Sequence, residues 1–157
     1  MGGVMTWMYR GRRPNRLARM MNALSAWQYG AGLAPRNWMT MEVPGRRTGR
    51  TISVPIVVAD HDGERYVVSM LGERANWVAN VRAADGRAVL RRRGRESVRL
   101  VDVPVAQRPP ILRRHLALAP GARPHAPVDR HAPLADFTRV AAGIPVFRIV
   151  REEPSAR

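Results

Sequence analysis

The chain has 157 residues, with 27 Lys+Arg against 12 Asp+Glu, 45% hydrophobic residues and no cysteine. That length suits one domain that buries its core without staples, and the missing cysteine excludes disulfides, thiolate metal sites and thiol nucleophiles. The formal net charge is +15, and every cation other than histidine is arginine, which also excludes a lysine Schiff base.

A GC-rich codon bias accounts for the arginine without any function. Chemically, the guanidinium fork still suits phosphate and carboxylate, so an anionic small molecule, nucleic acid and an acidic membrane are the partners to weigh. No apolar run approaches the ~20 residues that span a bilayer. Arg10, Arg12, Arg13, Arg16 and Arg19 interrupt any signal-peptide core. The expected location is the cytoplasm, with membrane association through the N-terminal segment as an alternative.

In chain order, Leu17, Met20, Met21, Leu24 and Trp27 fall at helical spacing after the cap candidate Asn15 and before Gly30 and Gly32. This predicts a basic amphipathic helix within an arm covering 1–37, which packs on the domain, closes over a site or rests on lipid. Met39–Val43 reads as a strand. Thr51–Ala59 follows with Ile52, Val54, Ile56 and Val58 on one face, and Pro55 inside it marks an edge or a bulge. Across the turn at 60–63, Arg65–Met70 completes a hairpin with a four-residue loop.

A helix over Ala75–Ala84 comes next, then a second hairpin, Arg87–Arg93 and Glu96–Val105, around Gly94. Pro109 and Pro110 open a helix carrying Ile111, Leu112, His115 and Leu116. A Pro-rich loop over 120–133, a short helix over Leu134–Ala142 and a strand over Pro145–Val150 close the domain (38–150), leaving a frayed tail over 151–157. The connections are too short for parallel crossovers. The fold class is mainly β: a six-stranded antiparallel barrel with accessory helices.

His61, His115, His125 and His131 show no metal-ligand spacing, so no metal site is expected. No GxSxG or Walker loop occurs, and the serines lack a partner base, so the chemistry is expected to belong to a bound cofactor. Two segments stand out. In Pro44-Gly45-Arg46-Arg47-Thr48-Gly49-Arg50, glycines bracket arginines and a hydroxyl between two strands, a pattern that suits a phosphate as well as a solvated turn. In Val67 to Gly72 a strand ends at a glycine and Asn76-Trp77-Val78-Ala79-Asn80 opens a helix, so Trp77 and Asn80 share a face. An indole there braces a flat ring while an amide reads its edge, or else simply joins the core.

Together, the Gly-Arg-Arg-Thr-Gly loop, Val54-Pro55, the strand ending Ser69-Met70-Leu71-Gly72 and the Trp-x-x-Asn helix resemble the deazaflavin-dependent nitroreductase family. Its members are actinobacterial split β-barrel proteins that bind coenzyme F-420 (8-hydroxy-5-deazaflavin). The resemblance covers about residues 39–150. It implies that Arg46, Arg47, Thr48 and Gly49 hold the coenzyme's phosphate and acidic tail, and that Val54 and Pro55 approach the ring. It further implies that Ser69, Met70, Leu71 and Gly72 line the ring, and that Trp77 and Asn80 hold it.

Two departures bear on the substrate: Met70-Leu71-Gly72-Glu73 stands where members have Ser-Lys-Gly-Gly, and residues 120–129 lack the tyrosines of their substrate pocket. The implied activity is hydride transfer from reduced F-420 to a small hydrophobic acceptor: a quinone, nitroaromatic or enone. Ser69 is the side chain nominated for the proton, beside solvent. The alternative is a non-catalytic barrel binding FMN, F-420 or a lipid. Nucleic acid is the least favoured partner, because only two Phe and three Tyr are available for stacking. A monomer or a homodimer is expected.

Overall fold

The computed structural model describes residues 36–153, and the predicted N-terminal helix lies outside them. The strands are β1 (Trp38–Pro44), β2 (Thr51–Val57), β3 (Ala59–His61), β4 (Glu64–Val68), β5 (Arg87–Arg91), β6 (Arg95–Asp102) and β7 (Val146–Arg151). Helix α1 (Asn76–Ala83) joins β4 to β5, while α2 (Arg108–Leu118) and α3 (Leu134–Val140) lie between β6 and β7. Every strand pairing is antiparallel, in the order β2-β1-β5-β6-β7-β4-β3.

This is the expected barrel with seven strands rather than six, because Thr51–Ala59 is two strands. At Val58 the N–H donates to the Asn37 carbonyl (2.7 Å) and the carbonyl accepts from Asn37 Nδ2 (2.9 Å). Asn37 therefore occupies both hydrogen-bonding groups of Val58, and the chain changes partner from β1 to β4. The predicted face divides accordingly: Ile56 and Val58 are buried, whereas Ile52 is 41% exposed.

The hairpin loop is also shorter than expected. His61 pairs with Glu64, and Asp62 and Gly63 both take positive φ (49° and 79°), the geometry of a two-residue turn matched to strand twist. Pro55, opposite Thr40, does lie on an edge strand. The Glu96–Val105 strand ends at Asp102, and a 3-10 turn (Pro120–His125) forms inside the Pro-rich loop. The start of the expected tail is ordered: Arg151 belongs to β7, and the Glu152 N–H donates to the Ser97 carbonyl.

Because β2 and β3 lie at opposite ends of the sheet yet are separated only by Val58, the sheet must curl until its edges approach. Inside the curl, Met41, Val43, Ile56, Val67, Val81, Val98 and Phe147 form one core. On the other side, Leu112 and Leu116 of α2 and Phe137 of α3 pack with Val68 and Val146 in a second. Arg108 fastens that second layer. It is buried, with Nε donating to the Val103 carbonyl (2.9 Å) and Nη1 to those of Ala141 (3.0 Å) and Ile144 (3.3 Å).

Candidate functional site

A cavity of about 370 Å³ opens where the two cores meet, within the range of small-molecule sites. One wall is Pro55, Ile56 and Val57 of β2, and another is the turn after β4, Val68 to Leu71, with Trp77 of α1. His115 of α2 and the segment Ala119 to Ala122 with His125 complete it. Trp77 packs on the inner core through Phe147, with ring centroids 5.9 Å apart and planes tilted 60°. Leu71 is 60% exposed and forms an apolar lip.

The turn after β4 is built by its own hydrogen bonds. The Gly72 N–H donates to the Ser69 carbonyl (3.0 Å), and the Ser69 hydroxyl donates to the Gly72 carbonyl (2.8 Å). Gly72 has φ +85°, and a Cβ there would stand 3.3 Å from the Gly143 carbonyl oxygen. Beyond it, Arg82 of α1 bonds Glu73 through two nitrogens (2.7 and 3.1 Å) and Asp102 through a third (2.9 Å). Its guanidinium carbon lies 5.2 Å from the Phe147 ring centroid. Glu73 first, then Asp102, raises the proton affinity of that guanidinium above its ordinary value.

The arginine loop between β1 and β2 is closed by Gly45 N–H to the Arg50 carbonyl and Gly49 N–H to the Gly45 carbonyl, both 2.8 Å. Gly49 has φ +72°. Asn80 ties this loop to α1: its Oδ1 accepts from the backbone N–H of Arg46 (3.1 Å) and from Arg46 Nη1 (2.9 Å). Glu42, Glu64, Glu73, Glu96 and Asp102 pair with other arginines. Arg47 and Arg50 are exposed and form no ion pair among the described residues.

A family model described as F-420H(2)-dependent quinone reductase matches residues 15–134. The chain belongs to that family. No curated protein matches the sequence. Among solved structures, a protein of unknown function from Agrobacterium tumefaciens is similar at TM-score 0.55 and 12% identity over 83% of this chain. This chain spans 55% of that protein's length. A structure described as a domain-swapped dimer is similar at TM-score 0.52 and 13% identity, covering 85% of this chain and 93% of that one. The F-420-H2 dependent reductase FDR-A matches at TM-score 0.45 and 19% identity, covering 73% and 94%.

The residues of this F-420H(2)-dependent quinone reductase family member fit the family's coenzyme. A half-buried indole and a glycine turn wall an apolar cavity, and the unpaired guanidinium groups of Arg47 and Arg50 stand on the β1–β2 loop, which Asn80 ties to the helix carrying Trp77; such groups would hold an anionic tail. Of the residues nominated from sequence, Pro55, Ser69, Met70, Leu71 and Trp77 line the cavity. Arg46, Arg47, Thr48 and Gly49 do not line it but form the loop between β1 and β2, Val54 packs against the inner core, and Gly72 shapes the turn.

Two nominations take different roles in the structure. Asn80 does not line the cavity, and its carbonyl is committed to Arg46, because a buried amide must satisfy its oxygen locally. Ser69 is 2% exposed with its hydroxyl committed to Gly72, which makes it a turn-former rather than a free proton donor. Sequence reasoning missed His115 and Trp38 as lining residues, whereas Pro120, Gly121 and Ala122 belong to the stretch that the resemblance aligns with a substrate pocket. The signal for His115 was its place on the face that buries Ile111, Leu112 and Leu116.

Proposed function

We propose that this protein reduces a quinone held in the cavity between β2, the turn after β4 and α2, using F-420H2 whose acidic tail lies on the arginine loop. The observation that supports this reading is the Arg46–Asn80 link, which fastens the cation-bearing loop to the helix that carries Trp77. The bound coenzyme supplies a hydride. The chain supplies position: Arg47 and Arg50 attract the anionic tail, the Ser69–Gly72 turn gives a rigid wall, and Trp77 braces the ring. Apolar walls exclude water from the acceptor.

Nitroaromatics and enones are flat, electron-poor molecules that suit the same walls. The lining also suits a lipid-soluble quinone, and a cytoplasmic protein touching the membrane through its basic N-terminal segment would meet one there.

The test follows reoxidation of F-420H2 by menadione, a nitroaromatic and an enone. Turnover fastest with menadione is the expected result. Failure to bind the coenzyme at micromolar concentration overturns the reading.

A further inference from the structure

His115 projects from the last turn of α2 and is 5% exposed, yet it lines the cavity. Its Nδ1 is buried without a hydrogen-bond partner. Such an unsatisfied polar atom costs about 1–3 kcal/mol, so a protein built for stability alone would carry leucine or phenylalanine here. The other polar groups of the lining are engaged or peripheral: the Ser69 hydroxyl bonds Gly72, Trp38 Nε1 reaches the Leu118 carbonyl at 3.5 Å, and His125 is exposed. No carboxylate among the described residues lines the cavity. Burial lowers the pKa of His115 to about 4, so near neutral pH the ring is an uncharged imidazole with one N–H and one lone pair.

A proton on Nδ1 would be sealed away with no acceptor, which favours the tautomer with the proton on Nε2. We propose that the Nε2–H of His115 recognises a carbonyl oxygen of the acceptor, making His115 the group that selects quinone-like substrates. This rests on the quinone-reductase reading above. The quinone gains a hydride from the reduced coenzyme and a proton from water, giving the hydroquinone, while the coenzyme releases its own second proton to solvent. His115 donates only a hydrogen bond, which strengthens as the oxygen gains negative charge, and an uncharged donor does this without an ion in an apolar pocket.

The test has two arms. In the first, ¹⁵N spectra of the coenzyme-free protein are recorded with menadione and with 2-methylnaphthalene, which has the same rings but no carbonyl. The His115 nitrogens are assigned by their loss in His115→Phe. Menadione should shift Nε2 and the hydrocarbon should not; equal responses, or none, overturn the proposal.

In the second arm, His115→Phe should raise KM for menadione about tenfold, the value of one hydrogen bond, and His115→Gln should recover part of it. Coenzyme Kd should stay within twofold in both variants. An unchanged KM in His115→Phe overturns the role of His115 while leaving the reductase reading intact. A wild-type protein that fails to bind coenzyme overturns the reductase reading and leaves the menadione spectra to decide whether His115 binds a carbonyl.

Discussion

The side-chain oxygen of Asn80 accepts two hydrogen bonds from one residue, Arg46, joining the loop between β1 and β2 to helix α1 across 34 residues of sequence. One donor is backbone and the other guanidinium, so the contact sets both the loop's path and the direction of its first arginine. Asn80→Ala should cost about 2–3 kcal/mol of stability, because one of the lost bonds is charge-assisted and the Arg46 N–H loses its acceptor. Coenzyme binding should weaken about tenfold as the loop relaxes. Urea unfolding and coenzyme titration read the two effects.

Arg47 and Arg50 carry no structural bond through their guanidinium groups among the described residues. Arg47→Gln with Arg50→Gln should therefore leave the melting temperature within a degree or two while weakening coenzyme binding at least tenfold. The salt dependence of binding should flatten in the double variant. Unchanged affinity and an unchanged salt slope would remove these arginines from the tail site.

Arg108 answers three backbone carbonyls and has no carboxylate partner among the described residues. Arg108→Met keeps much of the volume but strands those carbonyls inside the second core. A loss of about 2–4 kcal/mol follows, measurable as a lower urea midpoint with an unchanged m-value.

Stability should fall on mild acidification because of His115. Its pKa falls from 6.5 to about 4 through burial, so between those values the unfolded chain binds a proton that the folded chain refuses. Stability thus declines as pH drops from 6.5 towards 4, by about 3 kcal/mol in all, and His115→Gln should flatten that slope. The carboxylates act at lower pH. Burial alone would raise the Glu96 carboxyl, but Arg65 and Arg151 hold it below its usual range, and Arg114 does the same for Asp60. Their stabilisation is lost only as pH falls through those lowered values.

Local rules were legible wherever the interaction that enforces them is short in sequence. The existence of β1 and of β4 to β7, the prolines opening α2 and the glycine loop are all legible in the chain because strand, turn and cap preferences act over a few residues. The family resemblance likewise followed from contiguous motifs.

What remained hidden depends on groups far apart in the chain. Asn37 divides Thr51–Ala59 into two strands by occupying Val58, 21 positions away, and no period-two pattern encodes that. Whether Asn80 faces a ligand or an arginine, and whether His115 meets water or a cavity wall, is a matter of which partner arrives when the sheet curls. Periodicity assigns a residue to a face. The neighbour that face meets, and hence whether a polar atom is satisfied or left to bind something else, is set by packing between distant segments.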